Sequence, residues 1–268
     1  MPELPEVETV VRTLEKRIKD CQIKDVHIFY DKILKDPKHF KEMVVGQHFR
    51  FFMRRGKYLL FTLDRNTLVV HLRMEGKFYV QEPQAKINKH IHICFSLDNG
   101  MELRYMDTRK FGRMEIVELH PDLEHFHDLG PEPFAKEFNV DYVYHFLQKK
   151  KMPIKAVLLD QHFVAGIGNI YADEILAHLA IRPKVSAYRL SKKKCLALIV
   201  ICQKVLKRAI TLGGTTIRTY TSSLGVSGRF QLECIVHGKK ICPKCQTEIK
   251  IVRVQGRSSY YCPHCQKS

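Results

Sequence analysis

The sequence predicts an α+β chain of two domains. Three observations carry this expectation. Strand-length segments with tight turns fill residues 23–118, helical periodicity dominates 139–212, and two matched cysteine pairs close the chain. A length of 268 residues suits two domains, or one large domain with a small appended module. Hydrophobic residues make up 45% of the chain, enough to build cores and to exclude a wholly disordered protein.

Residues 5–19 read as an amphipathic helix, with Val7, Val10, Val11, Leu14 and Ile18 on one face. Pro5 suits the first helical turn, and Glu6 and Glu8 suit its electropositive end. Strands are expected at 58–63 (YLLFTL), 67–72 (TLVVHL), 91–97 (IHICFSL) and 101–106 (MELRYM). Asp64-Arg65-Asn66 and Asp98-Asn99-Gly100 form hairpin turns between them. Several short strands with close turns argue for a sandwich or a barrel. The run 130–133 (GPEP) marks a boundary. Helices follow at 139–150, 153–160, 169–180 and 191–212. Gly166 and Gly168 interrupt the helical run and Asn169 is expected as an N-cap, so 153–180 reads as helix, two-glycine turn, helix. Glycines 213, 214, 225 and 228 frame a polar loop.

The last segment carries the strongest local signal. Cys242 and Cys245, then Cys262 and Cys265, form two C-x2-C pairs sixteen residues apart. Two residues between cysteines let both sulfurs face one point, so each pair clamps one side of a tetrahedral zinc ion. The residues between fit a hairpin: 248–254 (EIKIVRV), a turn at Gln255-Gly256, and 257–261 (RSSYY). Four thiolates leave no open coordination position, so one structural Zn2+ is expected. Cys21, Cys94, Cys195, Cys202 and Cys234 are scattered and read as core filler.

Lys and Arg number 45 against 28 Asp and Glu, a formal charge of +17. Such a surplus points to a polyanionic partner, nucleic acid first and an anionic membrane surface second. No single basic amphipathic helix supports the membrane reading. The sequence has no apolar run of about 18 residues and no signal-peptide pattern at MPELPEVETVV, so a cytoplasmic protein with reduced thiols is expected.

Pro2 follows Met1, and a small second residue permits removal of the initiator methionine. The secondary amine then exposed has a pKa near about 8, so part of it is neutral and nucleophilic at pH 7. Attack on a sugar C1′ makes an iminium that stays cationic and acts as an electron sink. Glu3 beside it can move protons. On residue types alone, a plain helix lead-in explains Pro2 better than this chemistry does.

The string MPELPEVETV resembles the start of the formamidopyrimidine-DNA glycosylase family. The likeness recurs in order at 54–60 (RRGKYLL), 71–78 (HLRMEGKF), 107–113 (DTRKFGR), 164–174 (VAGIGNIYADE), 213–218 (GGTTIR) and 256–265 (GRSSYYCPHC). The resemblance implies an N-terminal β-sandwich with an N-terminal helix over 1–131. It implies a helix–two-turn–helix DNA-binding domain over 132–231, with a lesion loop at 215–229, and a four-cysteine zinc-ribbon hairpin over 232–268. DNA would lie in the cleft between the domains. The implied activity is base-excision repair: removal of oxidised purines such as 8-oxoguanine and formamidopyrimidines from double-stranded DNA, then strand cutting by β,δ-elimination. The partner is lesion-bearing or abasic duplex, with no membrane, and the protein is expected to act as a monomer associated with the bacterial nucleoid.

The same resemblance implies site roles. Pro2 matches the nucleophile and Glu3 the acid that assists ring opening and proton transfer. Lys57 matches a lysine near the lesion and its phosphate, and Glu6 a residue of the lesion pocket. Met74, Arg109 and Phe111 match the three residues that fill the hole left by the flipped base, with Arg109 reading the orphaned cytosine. His71, Asn169 and Arg257 match phosphate contacts, and Arg257 is grouped with the catalytic set. The chain departs from the family pattern at 237–242, which is shorter and lacks a tyrosine, and at Gln246, where glycine is common. Two other readings fit parts of the sequence: an endonuclease VIII-like glycosylase for oxidised pyrimidines, and a non-catalytic damaged-DNA-binding protein of the same fold.

Overall fold

The computed structural model describes residues 1–119, 126–215 and 228–268. The described residues group into two compact units, Met1–Phe126 with Thr215–Gly228, and His127–Gly214 with Arg229–Ser268.

The first unit opens with helix α1 (Leu4–Ile18), whose predicted stripe of Val7, Val10, Val11, Leu14 and Ile18 is buried. Each such side chain contributes roughly 2 kcal/mol of burial. Glu3 and Glu6 form a capping box at its start, which satisfies N–H groups that the first turn leaves open. A short helix α2 (Phe40–Val44) follows strand β1 (Ile23–Ile28). Then come β2 (Phe51–Arg55), β3 (Tyr58–Thr62), β4 (Asn66–His71), β5 (Lys77–Gln81), β6 (Ile91–Leu97), β7 (Glu102–Met106) and β8 (Arg113–Glu118). The four strands expected from segment length and turn placement all form, within a residue of their expected bounds.

These strands make two antiparallel four-stranded sheets, ordered β1-β6-β7-β5 and β2-β3-β4-β8. They share one core with α1. Phe61 of one sheet meets Phe78 of the other edge-on at 5.7 Å, and Phe49 packs against both Phe61 and Phe95. Two separate sheets closed face to face are a sandwich, which settles the sandwich-or-barrel alternative.

The second unit contains α3 (Val140–Gln148), α4 (Ile154–Leu159), α5 (Asn169–His178), α6 (Lys192–Thr211) and α7 (Phe230–Glu233). Asn139 and Ser191 cap α3 and α6 with their side chains, accepting from N–H groups of the first turn. The turn between α4 and α5 is held by Gln161, which accepts from Gly166 N and donates to the carbonyls of Leu159 and Ile167. The N-cap of α5 differs from expectation. Gly168 caps in extended conformation, and Asn169 is the first helical residue. The Asn169 side chain instead reaches a distant segment, its Nδ2 donating to Ser258 O at 3.0 Å. The unit ends in hairpin β9 (Lys250–Val254) and β10 (Arg257–Tyr261). Gln255 and Gly256 both take positive φ, as a two-residue turn with the strands' right-handed twist requires. Among the described residues no helix is long and apolar enough to cross a membrane.

Candidate nucleic-acid and catalytic site

The N-terminus is folded into the first unit. Pro2 and Glu3 are buried, as are Glu6 and Lys57. Glu6 Oε2 accepts from Glu3 N at 2.9 Å, so the carboxylate that closes the first turn of α1 also fixes the backbone next to Pro2. Lys57 follows Gly56 in the tight β2–β3 turn, where Arg55 pairs with Tyr58. Gly56 takes φ +57, a conformation that costs glycine little. Arg54 ties this turn to α1, donating to Gly56 O at 2.9 Å and to Glu8 at 3.2 Å. Burial holds the terminal amine, here on Met1, below its ordinary pKa of 8.0. Glu3 and Glu6 pull it back up, and Lys57 pushes it down again. A neutral amine flanked by carboxylates and an ammonium can attack an electrophilic carbon and have its protons handled locally.

Beside this cluster, Met1, Arg73, Met74, Phe111 and Arg113 line one shallow pocket. Met74 and Phe111 are large apolar side chains left 39% and 47% exposed, an unusual outlay unless something covers them. The Arg109 guanidinium lies 4.8 Å over the Phe111 ring. The three residues expected to fill the vacated stack therefore all belong to this unit, on loops 72–76 and 107–112.

His71 ends β4 and is nearly buried, with its ring edge-on to Tyr58 at 4.7 Å. Burial pushes its pKa down to about 3, aided by the charges of Arg73 and Lys57. It is thus neutral at pH 7, with Nδ1 accepting from Arg73 N at 3.0 Å and Nε2–H left as the donor. The pocket around it is lined by Lys32, Lys35, Arg73, Arg113 and Glu115; Glu115 pairs with Lys35, and the surplus of cations suits an anion.

In the second unit, Asn169 stands at the N-terminus of α5 and Arg257 at the exposed start of β10. One carbonyl joins the two elements: Ser258 O accepts from Asn169 Nδ2 at 3.0 Å and from Lys155 Nζ at 3.2 Å. Lys155 is fully buried and pairs with Asp173 at 2.6 Å. Asp173 in turn contacts His237 Nδ1 at 2.8 Å. Neighbouring Glu174 accepts from the backbone N–H groups of Ile235, Val236 and His237. Burial raises the Glu174 pKa, and those three bonds oppose the rise.

The four cysteine sulfurs lie within 4.8 Å of one another, with separations of 3.4, 3.5 and 4.0 Å among them, and form no disulfide. Four sulfurs at about 2.3 Å from one tetrahedral ion stand about 3.8 Å apart, so the set fits zinc. Each half of the site is a tight turn, closed by Gln246 N to Cys242 O and Gln266 N to Cys262 O. Gln246 takes φ +60, the left-handed conformation that glycine adopts freely. The ligands rest on a small core of Ala177, Ile235, Val236 and Ile249. This centre holds one structural zinc.

Residues 216–227 of the expected lesion loop lie outside the described residues. Its first residue, Thr215, is described and buried. No local pattern announces the Lys155–Asp173–His237 chain, because each residue sits on a different segment. Asp107, inside the DTRKFGR string, is a structural residue that sequence reasoning missed. Its signal is local: a short acidic residue opening a loop binds the backbone N–H two residues on.

Three family models match the chain. Residues 1–114 match the formamidopyrimidine-DNA glycosylase N-terminal domain, 129–221 its H2TH domain, and 239–267 the zinc finger found in FPG and IleRS. Among curated relatives, the formamidopyrimidine-DNA glycosylase of Bacillus licheniformis is 42% identical over 274 residues, covering 100% of both chains. That of Bacillus subtilis is 41% identical, covering 99% of each. Among solved structures, Lactococcus lactis Fpg in complex with abasic-site DNA is 38% identical with a TM-score of 0.94, covering 99% of this chain and 100% of that one. The wild-type Lactococcus lactis Fpg complex with N7-benzyl-Fapy-dG DNA is equally similar, with a TM-score of 0.94, 38% identity and full coverage of both chains.

Proposed function

The chain belongs to the formamidopyrimidine-DNA glycosylase family, and from that membership we propose how its own residues divide the reaction. The protein is a DNA glycosylase and abasic-site lyase acting on oxidised purines in duplex DNA. Chemistry falls to residues 1–131, duplex binding to 132–231 and backbone grip to 232–268. After removal of Met1, the Pro2 nitrogen attacks C1′ of the everted nucleotide. The base leaves with a proton as its C1′–N bond breaks; the ring C1′–O4′ bond then opens, O4′ takes a proton, and an iminium joins Pro2 to C1′ of the opened sugar. Loss of a C2′ proton then expels the 3′ phosphate, and a second elimination expels the 5′ phosphate. Glu3 assists ring opening and moves the protons. Lys57 holds the lesion's phosphate and Glu6 borders the base. Met74 and Phe111 wedge into the stack while Arg109 pairs with the orphaned cytosine. His71, Asn169 and Arg257 bind backbone phosphates.

The observation that carries this assignment is the half-buried N-terminus, with Pro2 buried beside it and Glu3, Glu6 and Lys57 acting on the terminal amine. Borohydride trapping tests it. Met-free protein mixed with an 8-oxoguanine duplex forms a covalent adduct at its N-terminus, and no adduct would sink the assignment. We place the protein in the bacterial cytoplasm, on the nucleoid, supported by the bacterial sources of its relatives.

A further inference from the structure

One buried pair, Tyr105 and Asp107, underlies both loops that carry Met74, Arg109 and Phe111. Asp107 is fully buried at the end of β7. Its Oδ1 accepts from Arg109 N at 3.0 Å, and its Oδ2 accepts from Gly112 N at 2.8 Å and from the Tyr105 hydroxyl at 3.5 Å. Its carbonyl accepts from His92 Nε2 at 2.7 Å, and its N–H donates to His90 O at 2.9 Å. Both ends of the 107–112 loop are therefore clamped to one carboxylate. Lys110 within it takes φ +59.

The Tyr105 hydroxyl reaches the other loop as well. A Cβ on Gly112 would lie 1.7 Å from that oxygen, and a Cβ on Gly76 would lie 2.4 Å from it. The hydroxyl fills the space that side chains at these positions would need. It is thus seated between the loop of Met74 and the loop of Arg109 and Phe111, and neither loop can move toward the other without meeting it.

We propose that Asp107 and Tyr105 are positioning residues that set discrimination of the base opposite the lesion. The inference rests on the role given to Arg109 above. Cytosine presents two adjacent acceptors, O2 and N3, which match the parallel donors of a guanidinium; adenine presents an acceptor beside a donor. Reading that difference requires a guanidinium held in place before the base arrives. The Asp107 carboxylate fixes the Arg109 backbone, and the shared hydroxyl keeps the two wedges in register. Attack at C1′ needs neither.

Asp107→Asn keeps the shape but cannot accept from both Arg109 N and Gly112 N; Tyr105→Phe removes only the hydroxyl. Single-turnover excision of 8-oxoguanine opposite cytosine and opposite adenine is measured for wild type and both variants. Borohydride trapping on a single-stranded abasic oligonucleotide, which has no opposite base, serves as the control. The cytosine-over-adenine ratio is expected to fall on the order of tenfold in Asp107→Asn, the size of stranding a buried donor, and to fall less in Tyr105→Phe. Single-strand trapping stays within about twofold in both. An unchanged ratio in both variants overturns the proposal, and so does an equal loss on every substrate, which marks a purely structural role. Wild-type protein that excises nothing removes the premise itself, and is told apart by that control.

Discussion

Glu6 and Thr215 stand 209 residues apart and share a single carboxylate oxygen: Glu6 Oε1 accepts from Thr215 N at 2.7 Å and from Thr215 Oγ1 at 3.0 Å. The other oxygen accepts from Glu3 N. One buried side chain thus fixes both the backbone beside Pro2 and the residue from which 216–227 departs.

Glu6→Gln places an amide NH2 against a donor on one side or the other. Stranding a buried N–H costs about 1–3 kcal/mol, which lowers Tm by about 2–4 °C for each of those. Thermal melts of wild type and variant check this; equal Tm values would show that the carboxylate anchors nothing.

Retaining Met1, or extending the N-terminus with a tag, leaves a primary amine or an amide where the Pro2 nitrogen is needed. Trapping and strand cutting are expected to vanish while duplex binding stays within a few-fold. Glu3→Gln is expected to bind lesion duplex without cutting it, and wild-type turnover in that variant contradicts the role given to Glu3. A tagged protein with full lyase activity contradicts the Pro2 assignment.

His71 is held neutral, with a folded pKa of about 3 against an ordinary 6.5. Between those values the unfolded chain binds the extra proton, so stability rises with pH, by up to about 1.4 kcal/mol per unit. Above pH 6.5 this contribution is constant. Urea melts at pH 5 and pH 7 are expected to differ more for wild type than for His71→Gln. Equal differences would mean that burial of His71 carries no such cost.

Arg257→Ala is expected to weaken specific and non-specific duplex binding alike, and to reduce the salt slope by about one. Chelating the zinc removes the frame of the β9–β10 hairpin, so binding is lost first and cutting in consequence. Titrations across a salt series decide the matter; an unaltered slope in Arg257→Ala means that no phosphate is met there.

Gln246→Gly relieves a left-handed side-chain residue, a conformation that costs about 1–2 kcal/mol outside glycine. Glycine's greater freedom in the unfolded chain offsets roughly half of that. The variant is expected to be more stable by up to about 1 kcal/mol, read from urea midpoints with zinc bound. A clear loss would mean that the Gln246 side chain makes its own contribution.

Periodicity and turn chemistry carried most of the fold into view. The α1 stripe, the four named strands and the Gln255-Gly256 hairpin form as their residues dictate, since each depends on neighbours in sequence. The cysteine pairs were legible for the same reason. Asn169 lies one residue from its expected place, and its side chain serves Ser258, a partner 89 positions away that no local pattern reveals. The bonds of Glu6 to Thr215 and of Lys155 to Asp173 were invisible on the same physical ground. Motif likeness named the residues at the N-terminus; only three-dimensional packing put their charges around one amine.

The three N–H groups that Glu174 accepts, and the Lys155 bond to Ser258 O, bear on how the cysteine module could be transplanted. Cut at residue 232 and grafted elsewhere, it would keep all four sulfurs but lose the carboxylate that pins its entry segment 235–237 and the ammonium that orients its hairpin. A recipient helix would have to supply an adjacent Asp-Glu pair, as α5 does here, and a nearby helix the buried lysine. The portable unit is therefore α4 through the last cysteine, and a chimera designed at the metal alone inherits a folded knuckle with no fixed aim.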